Sequence, residues 1–107
     1  MTTIRFERGK SGHLSGFTAQ GHAEAGESGN DIVCATVSAI TQTAVLGLVK
    51  VAGITPRLDR RNGYLSVQLD WVDATKTEVK TILDTAFTGL TDIAHQYPKN
   101  LTIIEGE

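Results

Sequence analysis

A chain of 107 residues, 40% of them hydrophobic and 21% charged, has the length and composition of one domain, 1–107, with too few residues to build two cores. Its formal net charge of -2 provides no broad basic surface, so nucleic acid is not expected as a direct partner. The lone cysteine, Cys34, excludes an internal disulfide, and the opening MTTIRFERGK lacks an apolar core of signal-peptide length, so a cytoplasmic location is expected.

Ile4 and Phe6 alternate with Thr3, Arg5 and Glu7, and the RGKSG stretch then turns the chain into a second extended run, His13 to Gln20. This pattern predicts a hairpin. The following GHAEAGESGN, residues 21–30, holds three glycines in ten residues and no periodicity, as expected of a mobile loop. Asn30 or Asp31 is placed to cap a helix whose core stripe is Val33, Val37, Ile40, Ala44, Leu48 and Val51. Gly53 is expected to end it. No charge interrupts Ile32 to Val49, which approaches the length of a membrane span. The hydroxyls and amide of Thr36, Ser38, Thr41, Gln42 and Thr43 within it point instead to a helix buried by protein, with no membrane partner.

Arg57 to Arg61 and Tyr64 to Asp70 flank Asn62-Gly63, a strong signal for a tight hairpin turn. Trp71 and Asp73 are expected at the entry to a second helix, with Thr75 and Glu78 as a capping box. Val79, Ile82, Leu83, Ala86, Leu90, Ile93 and Tyr97 mark its core face, and Pro98 closes it. Leu101 to Ile104 completes a ββαββαβ order. Two helices that each bury one stripe need a sheet to pack on, so the expected fold is a two-layer α/β (α+β) sandwich on a largely antiparallel sheet. Ile32, Ala35, Ala39 and Leu46 lie opposite the first helix's core stripe, leaving an apolar strip for which a homodimer is the expected cover.

Cys34 falls in the first turn of the first helix, where unpaired backbone N–H groups and the positive dipole end favour thiolate over thiol. Its bland alternative is a packed core residue, since free cysteine is often buried, but it sits at the margin of the core stripe. His22, twelve positions earlier, is a loop imidazole whose ordinary pKa suits a general base. His13 reads as a strand residue and His95 as a helix-surface residue. Ser38, one turn beyond Cys34, either faces the same pocket or bonds back to the carbonyl four residues earlier. Asp31 reads first as an N-cap. One cysteine and three scattered histidines lack the paired spacing of a zinc site, so neither metal nor other cofactor is expected. Arg57, Arg60 and Arg61 read as a solvated strand and turn.

The string GHA at 21–23, followed at this interval by DIVCATVSA at 31–39, resembles the signature of the bacterial ribosomal-processing cysteine proteases. The element order agrees with that family over essentially the whole chain, and the residue-level likeness is strongest from Gly21 to Ser38. Thr36 stands where the family more often has a small residue such as alanine. The resemblance implies a cysteine endopeptidase that removes a short N-terminal extension from large-subunit ribosomal protein twenty-seven, at a site flanked by an apolar, aromatic-bearing segment. It assigns the catalytic roles to His22 and Cys34 and supporting or substrate-binding roles to Gly21, Asp31 and Ser38. No third catalytic group is evident. Two other classes stay open: a non-catalytic ribosome-associated binding module, and a thiol redox sensor that would need an external resolving thiol.

Overall fold

The computed structural model describes residues 1–21 and 30–106, with Asn30 and Asp31 as backbone. The chain runs through β1 (Thr2–Arg8), β2 (Leu14–Gly21) and α1 (Asn30–Leu46), which continues into a π-helical turn over Gly47–Val51. It then forms β3 (Arg57–Arg61), β4 (Tyr64–Gln68), a one-turn α2 (Trp71–Ala74), α3 (Thr77–Gln96) and β5 (Leu101–Gly106). Five strands make one sheet in the order β3-β4-β2-β1-β5. All neighbours are antiparallel except β1 and β5, which are parallel.

Strand alternation decides which face is dry, because successive side chains point to opposite sides. Ile4 pairs with Ala19 and Phe6 with Phe17. Ala19 in turn pairs with Leu65, and Phe17 with Val67. All six side chains therefore share one face, and all six are buried. The helices pack on that face, where the Phe6 ring meets Phe17 at 5.6 Å and Phe87 of α3 edge-on at 4.9 Å. Arg5, Thr18 and Ser66 stand on the opposite, wetter face, the usual arrangement for a sheet covered on one side.

The predicted mixed α/β architecture is the one observed, with four departures in detail. Trp71–Ala74 is a separate turn of helix, and the Thr75–Glu78 capping box does not form. Lys76 is the N-cap of α3, and the Thr75 hydroxyl instead donates to the Val72 carbonyl at 2.7 Å. The chain uses Thr75 to close α2, so it is not free to open α3. Strand β4 stops at Gln68, two residues short of the expected Asp70, and His13 lies just before β2 in the hairpin turn.

The fourth departure concerns α1. Val33, Val37, Ala44 and Leu48 are buried as expected, Ile40 is half-buried, and Thr41 and Val45 join the core. Val51 does not; it is 78% exposed. The cause is the π turn, in which the Ala52 N–H bonds the Gly47 carbonyl five residues back at 2.9 Å. A wider turn rotates fewer degrees per residue, so a stripe extrapolated at the α-helical period leaves the core. Gly53, with φ +71°, ends the segment as predicted, and Ile54 N–H reaches back to the Leu48 carbonyl at 3.0 Å.

The far side of α1 stays uncovered. Ile32, Ala35, Ala39 and Leu46 are all exposed, so protein buries only one face of a stretch, Ile32–Val51, that is apolar and long enough to cross a membrane. Phe6→Ala is expected to lower the unfolding free energy by about 3–5 kcal/mol. Val51→Ser should change it by less than about 0.5 kcal/mol. Urea denaturation of the two variants measures both, and a large loss for Val51→Ser would contradict the π-turn register.

Candidate active site

The cleft beside Cys34 forms where the first turns of α1 cross the ends of β1 and β2 and the β3–β4 hairpin. Val33 and Val37 anchor this part of α1 in the core, at 1% and 5% exposure. Cys34 follows Val33 by one residue, or about 100° of rotation, and so emerges at the helix margin, half-buried. Its Sγ lies 3.6 Å from the Thr2 hydroxyl. The cleft has a volume of about 330 Å³, and Cys34, Ser38, Thr2, Gly21, Arg60 and Tyr64 are among its lining residues.

Gly21 permits the close approach of β1 and β2 at this end. It pairs with Thr2 and donates its N–H to the Gly63 carbonyl at 3.0 Å. Its φ of +148° disfavours any side chain, and a Cβ there would stand 2.5 Å from the Met1 carbonyl oxygen and 2.8 Å from Thr2 Cα. Gly21 is thus required by both backbone conformation and space. The same contact joins the hairpin turn at Asn62-Gly63 to the end of β2.

Ser38 stands one turn beyond Cys34 in the same cleft, as the i, i+4 spacing predicts. Thr36 and Thr41 bond back to the carbonyls of Ile32 and Val37, each at 2.8 Å. Among the described residues the Ser38 hydroxyl makes no such bond, so it is available to a ligand. His22, the Asp31 side chain and the loop interior between residues 21 and 30 lie outside the described residues. His13 and His95 are described, and neither lines the cleft; His95 is exposed in the last turn of α3. Among the described residues, no group of histidine, cysteine, aspartate and glutamate is arranged to hold a metal ion.

Thr2, Gly63, Tyr64 and Arg60 are among the lining residues not singled out from sequence as site residues. Period-two alternation with Ile4 and Phe6 does put Thr2 on the dry face, but which helix covers it depends on the packing. The three β3 arginines are exposed, as expected of a solvated strand. Arg57 pairs with Asp70 at 2.6 Å and Arg61 with Asp59 at 3.1 Å. The Arg61 guanidinium also stacks 4.2 Å from the Tyr64 ring centroid. Arg60 pairs in register with Leu65, which places it on the helix side of the sheet and brings it to the cleft wall.

A thiol near the N-terminal end of a helix, opening into a cleft lined by both polar and apolar residues, has the chemistry for attack on a carbonyl group. Comparison with known proteins agrees. The model of the family described as cysteine protease Prp matches residues 1–102. The ribosomal processing cysteine protease Prp of Bacillus subtilis is 32% identical over 105 residues, covering 94% of this chain and 92% of that protein. Two crystal structures of an essential ribosomal processing protease Prp from Staphylococcus aureus share the fold. One, in complex with a covalently linked product peptide, has a TM-score of 0.87 and 26% identity over 98% of this chain and 99% of that one. The other, with a substrate peptide, has a TM-score of 0.90 and 25% identity over 98% and 99%. The family match runs from β1 through α3 into β5, and the chain belongs to the cysteine protease Prp family, the ribosomal processing cysteine proteases.

Proposed function

We propose that this protease is an endopeptidase in which Cys34 is the nucleophile and His22 its general base, and that it trims the N-terminal extension of large-subunit ribosomal protein twenty-seven in the cytoplasm. The observation that carries this reading is Cys34 itself, half-exposed in the first turns of α1 on a cleft of about 330 Å³. Gly21, the residue before His22 in sequence, lines the same cleft, which favours His22 over His13 or His95 as the base. A peptide substrate agrees with the peptides held by the two staphylococcal relatives.

In this mechanism His22 takes the proton from Cys34 Sγ, and the sulfur attacks the scissile carbonyl carbon to form an S–C bond. The carbonyl oxygen becomes an oxyanion that backbone N–H groups at the start of α1 stabilise, because those donors have no partner within the helix. Collapse breaks the C–N bond, and His22 returns its proton to the leaving amine. Water then attacks the thioester, releasing the new carboxylate and restoring the thiol. Ser38 and Gly21 act as peptide contacts in this scheme, and Asp31 as a cap that holds the helix start in place.

The protease acts as a homodimer in this reading. The uncovered α1 strip includes Ile32 at 60% exposure and Leu46 at 54%. It adjoins an apolar groove of about 550 Å³ between α1 and α3, walled by Ala39, Ile40, Gly47, Ile82 and Gly89. Exposed contiguous apolar surface of this kind marks an interaction face.

Cys34→Ala is expected to reduce cleavage of a peptide spanning the extension junction by at least about a thousandfold. His22→Ala should do nearly as much, and full activity in either variant would remove its assigned role. Sedimentation of wild type should report a dimer, and Leu46→Asp should shift it toward monomer. An unchanged sedimentation coefficient across the pair would remove the α1 strip as the interface.

A further inference from the structure

We infer that Thr2 is a positioning residue for the nucleophile, its hydroxyl donating to the Cys34 sulfur in the reactive, deprotonated state. The inference rests on the assignment of Cys34 as nucleophile. Thr2 stands on the dry face of the sheet, 6% exposed, with its Oγ1 3.6 Å from Cys34 Sγ. Among the described residues, the Cys34 sulfur is the only hydrogen-bond partner of this hydroxyl. While Cys34 carries a proton, either atom can donate. Once the proton has left, only the hydroxyl has one to give, so the contact becomes a charge-assisted bond to sulfur.

The surroundings of Thr2 hold this donor in place. Its backbone is paired on both sides, with Gly21 of β2 and Leu101 of β5, and its N–H donates to the Asn100 carbonyl at 2.9 Å. Threonine is branched at Cβ and therefore stiff at χ1. A donor on a paired central strand, with few rotamers, costs little reorganisation when charge develops on its partner. The sulfur is thus held between two elements, by the helix that carries it and by the first residue of β1.

Gly21 links Thr2 to the general base. Thr2 can approach β2 this closely because no Cβ intervenes at Gly21, and His22 is the next residue in the chain. A single strand end therefore sets both the hydroxyl beside the sulfur and the point from which the imidazole-bearing segment departs.

The test compares wild type with Thr2→Val, Thr2→Ser and Cys34→Ala. The readouts are steady-state cleavage of the extension-junction peptide, alkylation of the native thiol by iodoacetamide as a function of pH, and thermal unfolding. Valine keeps the branched shape and removes the donor; serine keeps the donor and loses a methyl group. Loss of one such charge-assisted hydrogen bond should lower kcat and the alkylation rate at neutral pH by about ten- to a hundredfold in Thr2→Val, with KM and Tm nearly unchanged. Thr2→Ser should recover most of both rates. Wild-type kcat and alkylation in Thr2→Val, with Cys34→Ala inactive, would overturn the role of Thr2 alone. Equal defects in the serine and valine variants would also overturn it, since they would trace to the methyl group and packing. Full cleavage by Cys34→Ala would instead remove the nucleophile assignment, and the role of Thr2 with it.

Discussion

The first residues of β1 lie against the last residue of β2 because Gly21 carries no side chain. That contact places Thr2 beneath α1 and lets the β3–β4 hairpin turn bond to the end of β2 through Gly63. The cleft at Cys34 is bounded by these same parts. A side chain at position 21 would push Met1 and Thr2 away from the strand, and the wall opposite the sulfur would move with them. A single backbone approach therefore supports the surroundings of the Cys34 thiol and the end of β2 at Gly21.

Helix α1 meets two demands at once. Its inner face must fill the sheet's dry side, which Val33, Val37, Thr41, Ala44, Val45 and Leu48 do, and its first turns hold the Cys34 thiol at the margin of that face. Burial of Thr41 is tolerated because its hydroxyl donates to the Val37 carbonyl, which satisfies this buried polar group. Its outer face is apolar without being covered by this chain. The π turn at Gly47–Val51 comes where α1 lies close to α3, and Gly47 faces Ile82 there. The turn ends the inner stripe at Leu48 and leaves Val51 in solvent.

Much of the fold was legible from local pattern. Alternation in β1, β2 and β4, the Asn62-Gly63 turn and the 3.6-residue stripe of α3 each depend on side chains a few positions apart, so neighbours in sequence carry the signal. Departures came where one residue had two possible local uses. Thr75 could cap α3 or close α2, and the carbonyl of Val72 won because it lay within reach of the hydroxyl. Val51 failed because a stripe extrapolated at a fixed period takes no account of a change in helix type. In the site, Cys34 and Ser38 were legible because helical spacing places them on one face. Gly21 was named only through its family resemblance, and the structure supplies the physical reason for it.

Sequence alone determined the five strands and the two long helices, the parity that puts Thr2, Ile4 and Phe6 on one face, and the position of a lone thiol near the N-terminal end of a helix. These are short-range properties, set by backbone periodicity and by the unpaired groups that every helix start exposes. Only tertiary structure decided that α1 crosses above the beginning of β1, bringing residues 2 and 34 within 3.6 Å, and that the β3–β4 hairpin supplies the cleft wall. Such contacts join segments far apart in the chain. They follow from how the whole sheet is covered, which no local window encodes.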